Sequence, residues 1–192
     1  MGDDPSSINL ATINFSVLEK SFDNAQDYKA LQRMIVNAPF EQKLATASLF
    51  LAFIVLLVVN KKSGLIERVA LSDTELAHNT TEVSFKAFED IKIPVDHTEN
   101  IIVQSIKSHE PRDTTDWYYT FTPALTGQQA RINQASGGIS YTAIYPLDIP
   151  PQGALSFSYY QYPENIDKTQ HDFMKQYAVI VSKAITAKYS VK

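Results

Sequence analysis

The sequence predicts an α+β domain in which one antiparallel sheet is flanked by helices, and three observations lead to this. Apolar residues recur at helical intervals near both ends of the chain. Between the ends, several runs are β-branched or alternate in polarity, which is typical of strands. Short turns join neighbouring runs, so consecutive strands should pair antiparallel. With 192 residues, 44% of them apolar and 20% charged, the chain has the composition of one globular domain.

The helices follow from apolar spacing and from stop and start signals. Pro39 should end the second helix, because proline disfavours helical backbone in the residue before it. Asp96, followed three positions later by Glu99, resembles a capping box and predicts the start of a later helix. Helices are therefore predicted over 10–22, 27–37, from about 41 into the apolar stretch, 97–110 and 173–185.

The strands follow from alternation and from the turns that bound them. Lys61 to Gly64 is a short polar turn between two β-rich runs and predicts a hairpin. Pro146 should close the fourth strand, and residues 114–138 are predicted to form a loop over the sheet. Strands are predicted over 53–60, 65–71, 91–95, 139–145 and 154–160.

The stretch 44–59 carries no charge and leaves two interpretations open. It is shorter than the roughly 20 residues of a usual membrane span, and its second part is strongly β-branched. We therefore expect a buried helix end that leads into a central strand, with a membrane helix as the alternative. The N-terminus shows no signal peptide, so a cytoplasmic location and no membrane contact are expected.

Five short blocks, in this order and spacing, resemble a GAF domain. Each block is generic taken singly, and the resemblance extends over about 27–187. It implies a profilin-like sheet of five or six strands, with the N- and C-terminal helices packed on one face. Residues 1–26 would then be a partly helical extension and 188–192 a tail. The blocks are Ile93-Pro94-Val95, Ser108-His109-Glu110-Pro111, Ile144-Tyr145-Pro146-Leu147, Gly153-Ala154-Leu155-Ser156-Phe157 and Thr169-Gln170-His171-Asp172-Phe173.

The resemblance also implies a class of function. GAF domains commonly act as sensory or regulatory modules that bind small molecules, and many dimerise through their terminal helices. Bilin-attaching members and free-methionine sulfoxide reductases use cysteines, and this chain has none. A non-catalytic role is therefore expected, and the identity of any ligand or cofactor stays unknown. His109 is the nearest candidate for an axial haem ligand, although a histidine at a helix end more often complements the last carbonyls.

Aromatic residues are concentrated in the second half of the chain and suggest a pocket. Tyrosine supplies a flat apolar surface and a hydroxyl, which suits a planar ligand with polar edges. The alternative is that these rings fill the core. Tyr119 and Tyr141 are the strongest pocket candidates, and Arg131 could meet an anionic group. The candidate ligand-binding residues are Trp117, Tyr119, Phe121, Arg131, Tyr141, Tyr145, Phe157, Tyr159 and His109.

Three hypotheses about function follow. The first is a ligand-binding sensor that signals through its terminal helices or to a separate partner. The second is a ligand-free module that forms homodimers or docks a partner through the apolar helix faces at 10–36 and 173–185. The third is a membrane-tethered protein with its span at 44–59. A net charge of −4 makes nucleic acid an unexpected partner, and the four histidines are too far apart in the sequence to predict a metal site.

Overall fold

A single antiparallel sheet of six strands forms the centre of the protein. The computed structural model describes residues 13–42, 49–149 and 152–189. The strand order is β3-β2-β1-β6-β5-β4, so β1 and β6 occupy the middle of the sheet. This confirms the predicted α+β class and the six-stranded alternative. The strands are β1 (Leu51–Asn60), β2 (Leu65–Leu71), β3 (Ile93–Pro94), β4 (Arg112–Thr114), β5 (Tyr141–Leu147) and β6 (Gly153–Tyr159).

Seven α-helices are found in the described ranges, and they cover both faces of the sheet. The helices are α1 (Phe15–Asp23), α2 (Tyr28–Glu41), α3 (Glu75–Glu82), α4 (Ile101–Ser108), α5 (Tyr118–Phe121), α6 (Gly127–Ser136) and α7 (Lys168–Tyr189). The terminal helices α1, α2 and α7 pack on one face and the four central helices lie on the other.

The sheet separates two apolar cores. The terminal-helix core lies between the sheet and α1, α2 and α7. It includes Leu18, Phe22, Leu31, Ile35, Tyr141, Tyr145, Phe157, Tyr159, Phe173 and Tyr177. The cavity core lies on the other face, under α3 to α6. It includes Phe53, Val55, Leu57, Ile66, Ile102, Trp117, Phe121 and Ile144.

Strand β1 accounts for the apolar stretch in the first third of the chain. Its residues 51–58 are buried, because β1 pairs with β2 on one side and β6 on the other, and a core covers each face. A continuous apolar run is what such a central strand requires. An unbroken membrane helix over 44–59 is therefore excluded, although residues 43–48 lie outside the described ranges. Among the described residues, no helix combines the length and apolarity needed to cross a bilayer.

Helix α2 continues past Pro39, contrary to the predicted end near residue 37. Proline has no N–H, so the carbonyl of Ile35, four residues earlier, lacks its usual donor within the helix. The hydroxyl of Tyr177 in α7 donates to that carbonyl at 2.5 Å in the buried terminal-helix core. A tertiary hydrogen bond thus replaces the one that proline removes, and the helix runs on to Glu41.

Several other boundaries differ from the prediction. The central helix α4 starts after Asn100, whose side chain accepts from the N–H of Ile102 at 2.8 Å, so Asp96 is not its cap. Pro146 lies within β5 rather than beyond its end. The predicted loop over 114–138 contains α5 and α6, and α6 begins with a complete capping box formed by Thr126 and Gln129. The helix predicted from residue 41 falls largely on residues outside the described ranges.

The apolar faces of the terminal helices are buried within this one chain. Leu18 and Leu31 are fully buried, as are Phe173 and Ile185 on α7, where they pack on each other and on the sheet. One of the three hypotheses from the sequence uses these same faces for self-association or partner docking. Any contact with a second copy would therefore use other residues of these helices.

Candidate ligand-binding cavity

A cavity of about 40 Å³ lies in the cavity core, between the sheet and the central helices. Strands β1, β2, β5 and β6 form its floor, and residues of α3, α4 and α5 contribute to its walls. Apolar side chains from β1 line it together with the rings of Phe121 on α5 and of Trp117, the residue just before α5. The lining residues are Phe53, Val55, Leu57, Arg68, Leu71, Ala77, Thr80, Thr81, Phe88, Ile102, Trp117, Thr120, Phe121, Thr142, Ser156 and Ser158.

Strand alternation places hydroxyl groups at the floor of the cavity. Thr142 on β5 and Ser156 and Ser158 on β6 point into it, because side chains two residues apart share a face. The hydroxyls of Thr142 and Ser158 lie 3.2 Å apart across the paired strands. Including the threonines of the walls, six hydroxyl-bearing residues surround the space.

The same alternation places four of the predicted pocket residues on the opposite face. Tyr141 and Tyr145 on β5, and Phe157 and Tyr159 on β6, all lie in the terminal-helix core. Tyr145 and Phe157 contact edge to face, with ring centroids 5.8 Å apart. Burial raises the pKa of Tyr145 to about 12, and burial also raises the pKa of Tyr159. These positions correspond to the alternative in which the rings fill the core.

Helix α5 forms an aromatic wall of the cavity. Trp117 and Phe121 are 3% and 5% exposed, and their rings lie 5.1 Å apart. The indole N–H of Trp117 donates to the hydroxyl of Thr142 at 2.9 Å, which joins the wall to the floor. Both rings were predicted as ligand-binding residues, and they line the cavity.

Asn100, at the start of α4, holds this wall in place. The side chain is fully buried, and its amide donates to the carbonyls of Thr120 and Thr122 at 3.0 and 2.8 Å. Together with the capping bond to Ile102, three backbone groups depend on one side chain. The aromatic wall is therefore held in position by specific buried hydrogen bonds.

Arg68 on β2 is the one charged residue among the described residues of the cavity lining. Its guanidinium carbon lies 4.2 Å from the ring centroid of Phe121 and 5.8 Å from that of Phe88. The residue as a whole keeps some solvent exposure, but its Nε is shielded from solvent and has no hydrogen-bond partner. Burial lowers the pKa of Arg68 to about 9, so the side chain still carries its charge at neutral pH.

Sequence reasoning missed Arg68, although a signal was present. Ile66 is buried and lies two residues before Arg68, so both side chains point to the same face of β2. An arginine on the inward face of an amphipathic strand marks a polar site. A bulge at Val69 then shifts the register of β2 against β1, so that Ala70 lies in the terminal-helix core.

The remaining predicted site residues lie outside the cavity. Tyr119 is 42% exposed and packs against Tyr118. Arg131 is exposed and pairs with Asp116, its guanidinium nitrogen 2.7 Å from a carboxylate oxygen, which helps lower the pKa of that carboxyl. His109 takes a left-handed conformation at the end of α4 and lies with Tyr145 in a separate open groove of about 1090 Å³ beside α7.

Chemical groups typical of a metal centre or of acid–base catalysis do not surround the cavity. Among the described residues, the lining contains no Asp, Glu or His, so these residues offer neither a carboxylate nor an imidazole as general acid or base. In the described part of the chain, no three His, Asp or Glu side chains lie close enough together to hold a metal ion. The described lining combines apolar side chains, hydroxyl groups and one positive charge.

Solved structures similar to this chain are mostly GAF domains. The GAF domain of a phosphoenolpyruvate-protein phosphotransferase from Coxiella burnetii matches with a TM-score of 0.65 at 12% identity, over 97% of this chain and 98% of that one. The GAF domain region of a putative membrane protein from Geobacter sulfurreducens PCA matches with a TM-score of 0.57 at 16% identity, over 90% and 99%. The fold is GAF-like.

The similarity in fold is not accompanied by similarity in sequence. No protein-family model matches this sequence, and no curated protein matches it significantly. The GAF-like fold also occurs in an enzyme: a free methionine-R-sulfoxide reductase from Neisseria meningitidis, solved with its substrate, matches with a TM-score of 0.62 at 11% identity, over 100% of this chain and 96% of that one. The TM-scores over nearly the full chain establish the GAF-like fold, which confirms the predicted resemblance.

Proposed function

We propose that this chain is a non-catalytic sensory or regulatory domain that binds a small molecule in the cavity under α5. The hydroxyl-lined cavity is the observation that carries the proposal. A void left by imperfect packing in an apolar core is expected to be apolar and dry. Here the lining is mostly apolar, but its floor carries the hydroxyls of Thr142, Ser156 and Ser158, and Arg68 adds a charge. The wall hydroxyls of Thr80, Thr81 and Thr120 donate to nearby backbone carbonyls, so the floor and Arg68 are the polar groups that a ligand could use.

The shared strands offer a route from the cavity to the terminal helices. Thr142 and Ser158 face the cavity, whereas their neighbours Tyr141 and Tyr159 pack in the terminal-helix core. A ligand that moves β5 or β6 therefore moves residues of both cores. Under the proposal, binding selects one arrangement of these strands and so biases α7, through which a separate partner would read the signal.

A binding function is favoured over catalysis by the composition of the lining. It contains no acid–base residue, and the chain has no cysteine, so a nucleophile activated by a neighbouring base has no candidate in the cavity. The similarity to the reductase is therefore taken as a similarity of fold. Expected homodimerisation through the terminal helices would rely on outer residues such as Val17 and Val179, which are 46% and 50% exposed, and light scattering across a concentration series tests it.

Ligand binding is tested on the purified protein with a panel of small acids, amides, amines and sugars. The midpoint temperature of thermal unfolding is one readout. Fluorescence of Trp117 is the second, because this residue is the only tryptophan and lies in the cavity wall. The proposal expects at least one compound to raise the midpoint and change the fluorescence saturably.

A pair of variants shows whether binding occurs in the cavity. Ser156→Leu places a larger side chain in the cavity and should abolish the response. Ser63→Leu makes the same change at an exposed turn outside the lining and should leave it intact. No response from any compound, or a response that survives Ser156→Leu in a folded protein, would contradict the proposed function.

A further inference from the structure

We infer that the ligand of this cavity is a short-chain monocarboxylate whose carboxylate pairs with the guanidinium of Arg68. The inference rests on the proposed function and specifies the chemical class that the site accepts. Four observations lead to it: an unpaired charge, its planar geometry, the size of the cavity and the apolar surface on the strand beside the charge.

The charge of Arg68 has no partner within the described ranges. Its guanidinium makes neither an ion pair nor a hydrogen bond there, and its Nε has no contact with solvent. By contrast, Arg131 on the surface has its own carboxylate, that of Asp116. The residue keeps some solvent exposure, so the charge is partly rather than fully desolvated. A shielded donor without a partner destabilises the folded state, and a partly desolvated charge interacts strongly with an opposite charge. An anionic ligand would supply the missing charge.

The geometry around Arg68 favours a planar anion. The guanidinium carbon lies over the ring of Phe121 at 4.2 Å from its centroid, a cation–π contact that uses the face of the guanidinium and not its N–H donors. A guanidinium edge matches the two oxygens of a carboxylate and can bind them in parallel. Because Arg68 is the single charged residue of the lining, the site balances one negative charge rather than two. Phosphate monoesters and dicarboxylates are thereby disfavoured.

The size and the remaining surface of the cavity define the rest of the ligand. A volume of about 40 Å³ holds about three water molecules, which is the space of a carboxylate with two or three carbons. Phe53, Val55 and Leu57 give this space an apolar surface on β1 that suits a methyl or ethyl group. Amines are disfavoured, since the lining has no acid to pair with them.

The direct test compares acids with their neutral isosteres on the unmodified protein. Acetate and propionate are titrated at constant ionic strength against acetamide and propionamide, with Trp117 fluorescence and calorimetry as readouts. We expect saturable binding of an acid and at least tenfold weaker binding of the matching amide. This comparison needs no variant, so it does not depend on whether a variant folds.

Two arginine variants then test whether acid binding depends on the charge of Arg68. Arg68→Met should weaken acid binding at least tenfold while the thermal midpoint of the ligand-free protein stays the same or rises. Arg131→Met removes an arginine outside the cavity and should leave acid binding unchanged. If propionamide binds as well as propionate, or if Arg68→Met binds the acid normally, the inference is wrong.

The panel described above separates failure of this inference from failure of the proposed function. If neither acetate nor propionate binds but a neutral or cationic compound does, and Ser156→Leu abolishes that response, the function holds and the monocarboxylate assignment is wrong. If no compound of any class binds, both are wrong. Binding of acetate or propionate that requires Arg68 supports both.

Discussion

The hydrogen bond from Tyr177 to the carbonyl of Ile35 can be tested quantitatively, because proline creates the need for it. Tyr177→Phe keeps the ring, which stacks on Phe173 at 5.3 Å, and removes only the hydroxyl. The carbonyl of Ile35 then lies buried without the 2.5 Å bond and without an N–H from Pro39. An unpaired buried acceptor costs about 1–3 kcal/mol. We therefore expect the free energy of unfolding to fall by about 2 kcal/mol, or the melting temperature by roughly 4–8 °C.

A second substitution makes the prediction specific to the missing N–H. In Pro39→Ala the new residue has a backbone N–H that can donate to Ile35 within the helix. Removing the Tyr177 hydroxyl in that background should therefore cost less than about 1 kcal/mol. Urea unfolding of the four proteins gives the coupling energy of a double-mutant cycle. Equal costs in both backgrounds would show that the hydroxyl does not replace the proline's missing donor.

Three further outcomes follow from the described contacts. Asn100→Ala removes three buried hydrogen bonds and should lower the free energy of unfolding by about 3 kcal/mol, measured in urea with Trp117 fluorescence; a cost below 1 kcal/mol would contradict its role in holding the wall. Gly153→Ala would place a Cβ 2.5 Å from the carbonyl oxygen of Leu57, so we expect a loss of at least about 2 kcal/mol by the same assay, and wild-type stability would refute the close approach. Burial raises the pKa of Tyr145 to about 12, whereas the unfolded chain titrates near 10. The stabilisation from the neutral, buried hydroxyl is therefore complete below pH 10, and the free energy of unfolding falls between pH 10 and 12 by up to about 1.4 kcal/mol per pH unit. Tyr145→Phe should lessen that decline in alkaline urea titrations, and an unchanged decline would count against the assignment.

The candidate site shows where strand patterns are informative and where they are not. Alternation correctly groups Tyr141 with Tyr145, and Phe157 with Tyr159, on common faces of their strands. It cannot say which face is covered by the terminal helices and which by the central ones. That choice depends on how the chain returns over the sheet, and it places these four rings opposite the cavity.

Local signals were also outweighed by tertiary contacts. Pro39 is a strong signal for a helix end and Asp96 for a helix start. The helix nevertheless continues through Pro39, where Tyr177 donates to the free carbonyl, and Asn100 rather than Asp96 caps α4. The bond from Tyr177 to Ile35 joins residues 142 positions apart. No window along the sequence contains both partners, so a local rule could only predict that the helix ends.

The sequence by itself determined the two-faced sheet, the central position of its apolar strand and the absence of thiol chemistry, because periodicity and composition are local properties of a chain. Only the tertiary structure decided where the cavity lies, that hydroxyls rather than tyrosines line its floor, and that Arg68 rather than Arg131 supplies its charge. Both arginines look alike in a sequence. What distinguishes them is a partner in space: Arg131 lies beside Asp116 at the surface, whereas Arg68 lies among aromatic rings with its Nε unpaired.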